Sequence, residues 1–217
     1  KVVRIVPGFL LAGEKTTLTI EGVNLPDARA ADVAFAGGAV KVLGVRRAAP
    51  GALELTVVSS APTLATAKVS VKGLDAGTVT LAPAIDRIAI VPEVGRARMS
   101  GGTNYPPEGV QFEAIAYAKG SGSRKAPDVA LGPVPATFRL TELKTRPGDD
   151  DMTWLGTILP HGSYLPTVDY APNPKRTYTG ENSGLVKVLA RYKRGARTYD
   201  AQAELVVTVP DYIARIR

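Results

Sequence analysis

Arg4-Ile5-Val6-Pro7-Gly8 stands near the start of the sequence, and Arg87-Ile88-Ala89-Ile90-Val91-Pro92 repeats the phrase about 85 residues later. Each copy is followed by short segments in which apolar and polar residues alternate, the pattern of half-buried β-strands. A repeat at this distance indicates two similar structural units placed one after the other. The sequence therefore predicts an all-β chain made of two tandem immunoglobulin-like antiparallel β-sandwich domains.

The first predicted domain covers residues 1–84. Leu18 and Ile20 share one face of an alternating segment, and Thr17 and Thr19 share the other. Strands of this length that recur about every 8 to 12 residues are typical of a two-sheet sandwich. We expect seven strands, at residues 2–6, 16–21, 33–35, 40–45, 53–58, 67–71 and 78–81.

The second predicted domain covers residues 85–217 and has longer strands and longer loops. Residues 110–118 place Val110, Phe112, Ala114 and Ala116 on one face, and Gln111 and Glu113 on the other. A hairpin is predicted at Lys193-Arg194-Gly195-Ala196, between strands at 184–192 and 198–209, because the glycine is free to adopt a positive φ. A further strand is expected at 137–143. The loop at residues 120–126 is predicted to lie at the surface, and the sequence assigns it no role.

Composition excludes several classes of function. The 217 residues include 22 Gly and 17 Pro, which suits short strands joined by tight turns. No apolar run reaches the roughly 20 residues of a membrane span. The net charge is +7, but the basic clusters lie beside Gly or Pro without interleaved aromatics. We interpret them as solvated loops, and predict neither nucleic-acid binding nor a membrane span.

His161 is the single histidine, and no cysteine is present. A thiolate metal site and a covalent c-type haem are therefore excluded, and a histidine-based metal site lacks partners. A nucleophilic arrangement of His161 with Ser163 is disfavoured, because an adjacent residue does not align easily with the ring. A histidine in a surface turn is the favoured interpretation, and no catalytic residue is predicted.

Asp149, Asp150 and Asp151 offer three oxygen ligands to a hard cation such as Ca²⁺. The alternate ligand spacing of a calcium loop is missing, so a solvated loop tip is the favoured interpretation.

Trp154 follows in an apolar run, where a lone tryptophan usually anchors a sandwich core. The alternatives are contact with a partner and a sugar-stacking platform shared with Tyr164, Tyr170 and Tyr178. Beyond the last strand, Tyr212, Ile213 and Ile216 form an apolar tail that is predicted either to contact a partner or to dock on its own domain.

The first domain resembles the immunoglobulin-like plexin and transcription-factor (IPT/TIG) module. The residues that carry this resemblance are Ala12-Gly13, Thr17-Leu18-Thr19-Ile20, Gly22 and Asn24-Leu25. It implies that the glycine and the asparagine end a strand and turn the chain sharply.

Five ordered segments of the second domain resemble the C-terminal region of the α subunit of quinohemoprotein amine dehydrogenase, a bacterial periplasmic enzyme. The first domain is similar to the sandwich that precedes this region in the same subunit. The segments are Val110-Gln111-Phe112-Glu113-Ala114, Leu131-Gly132-Pro133-Val134-Pro135-Ala136-Thr137, Tyr170-Ala171-Pro172-Asn173-Pro174, Asn182-Ser183-Gly184-Leu185-Val186 and Ala203-Glu204-Leu205-Val206-Val207-Thr208-Val209.

The resemblance implies a complex that oxidises primary amines to aldehydes. In that family a small γ subunit carries a peptidyl quinone, c-type haems lie toward the N-terminal end of the α subunit, and the β subunit is a propeller. The resemblance implies that this chain is a periplasmic, structural segment without a cofactor. Its expected partners are the haem domain of the same subunit and the β and γ subunits.

Two other functions stay open. The chain could be a free-standing extracytoplasmic immunoglobulin-like module that binds protein or glycan, or an independent hydrolase using His161. Two Cys-x-x-Cys-His haem motifs upstream in the gene would favour the dehydrogenase over the free-standing module.

Overall fold

The structure is a computed structural model that describes residues 1–99, 106–120, 127–144, 147–167 and 184–208. The fold is all-β, as predicted, and the described residues form two compact units. The first unit contains Lys1–Arg87 and Ala116–Gly132. The second contains Ile88–Ile115 and the described residues from Pro133 onward. The predicted domain boundary between residues 84 and 85 comes from the sequence alone and stays a prediction.

The first unit is a sandwich of two four-stranded sheets. Their strand orders are β1-β3-β6-β5 and β2-β8-β7-β4, which is the immunoglobulin arrangement with the first strand shared between both sheets. A 3₁₀ turn at Ala30–Asp32 precedes the fourth strand. The strands are Val2–Val6 (β1), Phe9–Leu11 (β2), Lys15–Gly22 (β3), Val33–Phe35 (β4), Val40–Ala49 (β5), Ala52–Ser59 (β6), Ala65–Val71 (β7) and Leu74–Ala82 (β8).

The repeated phrase marks the point where the chain changes sheets. β1 pairs antiparallel with β3, whereas β2 pairs parallel with β8 in the opposite sheet. Pro7 lies between them and has no N–H group to continue the first ladder. The bond between Val6 and Pro7 is cis. The sequence predicted a turn here and missed β2, whose three residues are all buried and therefore do not alternate.

The core of the first unit follows the predicted alternation. Leu18 pairs with Leu55 and Ile20 with Leu53 across β3 and β6, and all four side chains are at most 1% exposed. Thr17 and Thr19 point away from the core on the same strand. The prediction for this strand is confirmed. The core is completed from the other sheet by Ala67, Val69, Val71, Val79 and Leu81.

Residues 116–120 and 127–132 are held in the first unit by Asp86 and Arg87. The Arg87 guanidinium lies over the ring of Tyr117, 4.2 Å from its centroid, and its Nε donates to Asp128 Oδ2 at 2.6 Å. The Lys119 N–H donates to Asp86 Oδ2 at 2.9 Å. The Asp86 N–H donates to the Tyr117 carbonyl, also at 2.9 Å. The segment that joins the two sequence domains is therefore pinned by directional contacts.

From Arg87 onward the chain forms ten more strands and one short helix among the described residues. They are Arg87–Val91 (β9), Val94–Arg98 (β10), Val110–Gln111 (β11), Glu113–Ala118 (β12), Val129–Val134 (β13), Thr137–Glu142 (β14), Asp151–Trp154 (α1), Gly156–Ile158 (β15), Ser163–Pro166 (β16), Gly184–Arg194 (β17) and Arg197–Thr208 (β18). The sheet orders are β10-β18-β17-β14, β11-β16-β15 and β13-β12-β9.

The second unit repeats the sheet change of the first. A cis bond joins Val91 to Pro92, and β10, which follows it, pairs parallel with the last described strand, β18. β14, β17 and β18 complete the same four-stranded order as β4, β7 and β8. The sequence did not assign β9, β10, β13, β15 or β16. It did place the hairpin, which turns at Gly195 and Ala196 with φ +56° at the glycine.

Phe112 and Tyr164 are the largest fully buried side chains among the described residues of the second unit, and both are 0% exposed. Phe112 lies at the break between β11 and β12, and Ala114 and Ala116 are buried with it as predicted. A side chain at Gly95 would overlap the Phe112 ring, so β10 needs glycine there. Val186, Val188, Leu205 and Val207 fill the core from β17 and β18.

Candidate functional site

Two of the three consecutive aspartates have different hydrogen-bond partners in the structure. Asp151 is the first residue of α1, is 5% exposed, and its Oδ2 accepts the Leu185 N–H at 2.9 Å. Asp150 Oδ2 accepts the indole N–H of Trp154 at 3.1 Å. Within the described ranges, no group of three or more His, Asp or Glu side chains is arranged to hold a metal. Two of the carboxylates thus position α1, and a calcium site at Asp149, Asp150 and Asp151 stays a prediction.

Trp154 does not anchor the core, because it is only half-buried on α1. Tyr164 occupies that place and donates its hydroxyl hydrogen to the Leu155 carbonyl at 2.5 Å. Burial raises the pKa of the Tyr164 hydroxyl far above its ordinary value, so it stays protonated as a donor. The prediction that Tyr164 belongs to an exposed stacking platform is wrong, since its ring is inaccessible. Tyr170 and Tyr178 lie outside the described residues.

His161 is exposed in the turn between β15 and β16, as predicted. Its carbonyl accepts a hydrogen bond from Gln111 Nε2 at 3.0 Å. Its ring makes no hydrogen bond or ion pair to any residue that the structure describes. A shallow groove of about 370 Å³ is lined by apolar residues that include Pro133, Pro135, Pro160 and Phe138, and also by Gln111, Glu113 and His161 itself. No hydrogen bond joins the His161 ring to the Glu113 carboxylate.

The predicted partner contacts at Tyr212, Ile213 and Ile216 lie outside the described residues, as do residues 121–126 of the loop at 120–126. The structure therefore bears on neither prediction. Among the described residues, no helix is long and apolar enough to cross a membrane.

A cation-rich sheet surface is the feature that the sequence did not identify. Side chains alternate along the sheet β10-β18-β17-β14, so those between the buried positions point outward. We name the outward side the basic face. Its charged residues are the cations Arg96, Arg98, Arg139, Lys187, Arg191 and Lys193 and the anions Asp200 and Glu204.

Two of these cations have partners. Arg191 Nε donates to Asp200 Oδ1 at 2.7 Å across directly paired positions, and Arg98 Nη2 donates to Glu108 Oε1 at 2.7 Å. The hydrogen bond from Arg191, with a smaller contribution from the charge of Arg139, holds the pKa of Asp200 below its ordinary value. Arg96, Arg139, Lys187 and Lys193 have no hydrogen bond or ion pair to another described residue.

The basic face contains a depression of about 650 Å³. Its lining includes the apolar side chain of Leu189, the cations Arg139, Arg191 and Lys193, and the anion Asp200. Thr137 and Arg191 are directly paired across β14 and β17, as are Arg139 and Leu189. The sequence alone indicates that Lys193 belongs to a solvated turn, because Gly195 follows it closely. The period-two order Lys187, Leu189, Arg191, Lys193 was the signal that these residues share a face.

Comparison with protein families assigns both halves of the chain. Residues 1–85 match the model described as "Quinohemoprotein amine dehydrogenase, alpha subunit domain III". Residues 88–215 match the model described as "Quinohemoprotein amine dehydrogenase, alpha subunit domain IV". The chain therefore belongs to the family of quinohemoprotein amine dehydrogenase alpha subunits and contains its domains III and IV. A comparison with curated protein sequences found no match.

The solved structures that match this chain include a protocadherin, the protein InvD and a titin fragment. Protocadherin Gamma B2 extracellular cadherin domains 1-5 are 13% identical, with 98% of this chain and 41% of that chain covered and a TM-score of 0.36. InvD of Yersinia pseudotuberculosis is 14% identical, with 100% and 59% covered and a TM-score of 0.28. A chimeric titin Z1Z2 is 12% identical, with 94% and 92% covered and a TM-score of 0.30. This chain spans less than two thirds of the first two.

The family name implies a haem and a quinone, and the attachment of a haem makes the clearest demand on residue types. Covalent c-type attachment needs two cysteines and a histidine, and the chain contains no cysteine and one histidine. That histidine lies alone in an exposed turn. The residues of this chain therefore do not fit the haem, and no described cluster suits a metal ion.

Proposed function

We propose that this chain is a non-catalytic segment of the alpha subunit of an amine dehydrogenase, and that its two sandwiches support the subunit and contact its partners. The catalysed reaction, oxidation of a primary amine, belongs in this proposal to the whole complex. The partners are the haem domain of the same subunit and the β and γ subunits. The proposed location is the periplasm.

The observation that carries the proposal is the agreement between family and residue chemistry. The matched regions correspond to domains III and IV of the alpha subunit. Several titratable side chains in the described part of the chain form ion pairs between strands or accept backbone N–H groups, among them Arg4 with Glu21, Arg191 with Asp200, and Asp151. The apolar core of each unit, together with such surface pairs, is what we expect of a domain that holds other parts in position.

The experiment is co-expression of the tagged chain with the β and γ subunits of an amine dehydrogenase of this family, taken from the same organism, followed by affinity purification. The proposal expects both subunits to be retained in stoichiometric amounts. The His161→Ala variant is the matched control for catalysis and is expected to leave retention and amine oxidation by the assembled enzyme unchanged.

Two results would overturn the proposal. One is the absence of either subunit from the purified material at low salt. The other is loss of amine oxidation in His161→Ala with assembly intact, which would assign chemistry to this chain.

A further inference from the structure

We propose that the basic face is a docking surface for an acidic protein surface on another subunit, with the depression over Leu189 receiving its central apolar contact. The inference rests on the proposed function, since it names the part of this chain that makes a subunit contact. It commits to a protein partner whose contact residues are mainly Asp and Glu.

The charge on this face is not neutralised within the described structure. Arg139 and Lys193 line the depression without an ion pair to a described residue, and Arg96 lies on the same side of the sheet, also without one. Lys187 lies directly opposite Glu204 across β17 and β18 but makes no ion pair with it. Cations at an interface steer an acidic partner and fix its register more than they add affinity. A cluster of this sign is therefore expected to give a contact that depends strongly on salt.

The apolar content of the face favours protein over nucleic acid. Leu185, Leu189, Val206 and Val94 point outward between the cations, as the core of a protein interface requires. Single-stranded nucleic acid is bound on exposed aromatic platforms. The nearby aromatics, Tyr192 and Tyr199, stack on each other instead, with ring centroids 6.1 Å apart.

The chain itself does not carry the complementary charge. By sequence, residues 100–105 and 168–183 are neutral overall, and residues 121–126, 145–146 and 209–217 each carry net positive charge. None of the segments outside the described residues is therefore an acidic occupant. A second copy is equally unsuitable, because each chain carries a net charge of +7.

The first test reverses two unpaired charges on the face. The variant is Arg139→Glu with Lys193→Glu, which leaves the ion pair between Arg191 and Asp200 in place. Its matched control is Lys41→Glu with Lys68→Glu, two exposed strand residues of the first unit without ion pairs to described residues. Both variants change the net charge equally. Circular dichroism verifies that each is folded.

Binding to the immobilised β and γ subunits is measured by biosensor at low and high salt. The face variant is expected to bind at least about tenfold more weakly at low salt, with the difference shrinking at high salt. The control is expected to stay within about twofold of the unchanged chain. Equal weakening by both variants, or none by the face variant, would overturn the docking surface while leaving the proposed function in place.

If the unchanged chain does not bind these subunits, the proposed function is overturned. A second measurement then tests the docking surface by itself. Poly-L-glutamate and a 12-nucleotide single-stranded DNA are titrated separately into the labelled chain, and amide shifts are followed by NMR. The docking surface predicts that poly-L-glutamate shifts residues of β14, β17 and β18 most. Shifts spread evenly over both units would contradict it. Equal or tighter binding of DNA at this face would assign it to nucleic acid instead.

Discussion

The sheet β2-β8-β7-β4 of the first unit and the sheet β10-β18-β17-β14 of the second have the same order and the same parallel pair. Their outward residues differ. In the first unit β7 and β8 present mainly Thr66, Lys68, Ser70, Thr78 and Thr80. In the second unit the equivalent strands present Lys187, Leu189, Arg191 and Lys193 on β17 and Asp200, Gln202, Glu204 and Val206 on β18. One framework thus supports two surfaces, because the inward residues determine the fold and leave the outward ones free to determine contacts.

The largest expected effect comes from the inward residues. Phe112→Ala is expected to lower the free energy of unfolding by about 3–5 kcal/mol, because it removes a fully buried ring and leaves a cavity. Leu55→Ala makes the matched change in the first unit and is expected to cost about 2–5 kcal/mol. Urea unfolding measures both. Fluorescence of Trp154, the one tryptophan, reports the second unit, and circular dichroism reports all strands. A cost below about 1 kcal/mol for either change would show that the core is misassigned.

A smaller effect is expected where the second unit carries a buried polar group. Tyr164→Phe removes one of the two donors to the Leu155 carbonyl, which still accepts the Thr167 N–H at 3.0 Å, so the expected cost is that of one hydrogen bond, about 0.5–1.5 kcal/mol. The same urea experiment checks it. Tyr117→Phe, which removes a hydroxyl without a hydrogen bond to a described residue, is the comparison and is expected to cost less. An unchanged midpoint for Tyr164→Phe would contradict a buried hydroxyl bond.

The contact between Arg87 and Tyr117 gives a test of the segment between the two sequence domains. Arg87→Ala removes a cation–π contact and a partly exposed ion pair, and is expected to cost about 1 kcal/mol. Arg46→Ala, which removes an ion pair without an aromatic partner, is the matched control and is expected to cost less. Equal midpoints for the two variants would argue against the stacking.

The smallest expected effect on stability comes from two exposed ion pairs between neighbouring strands, Arg4 with Glu21 in the first unit and Arg191 with Asp200 in the second. The hydrogen bond from Arg4 lowers the pKa of Glu21, and the one from Arg191 lowers the pKa of Asp200. A lowered carboxylate pKa contributes stability above the unfolded-state pKa, and this is lost as the pH falls through the folded-state pKa, below about pH 4. Carboxyl NMR titration should show that Arg4→Gln raises the pKa of Glu21 and Arg191→Gln that of Asp200. No change in either would contradict the pair concerned.

Alternation along single strands was enough to predict part of the fold. It identified Leu18 and Ile20 in the first core, Phe112, Ala114 and Ala116 in the second, and the hairpin at Gly195. Strands that are buried on both sides or very short escaped it. Phe9, Leu10 and Leu11 are all buried, so no polar residue marks a face.

Contacts between distant positions escaped for a different reason. Tyr164 is buried with its hydroxyl bonded to the carbonyl of Leu155, nine residues earlier, and the sequence does not show that this acceptor is available. The prolines near Tyr164 suggested an exposed position instead. The basic face combines side chains from four strands whose pairing the sequence does not give. The family, by contrast, was accessible from the sequence, because ordered segments across the second domain carry it.

The central claim is that this chain provides support and contacts while the oxidation of amine takes place elsewhere in the complex. Its most direct test is amine-dependent reduction of a dye acceptor by the purified 217-residue chain, by the remaining parts of the enzyme, and by the two combined. We expect no dye reduction by the chain alone, and amine-dependent dye reduction when the chain is combined with the remaining parts of the enzyme. Turnover by the isolated chain would contradict it.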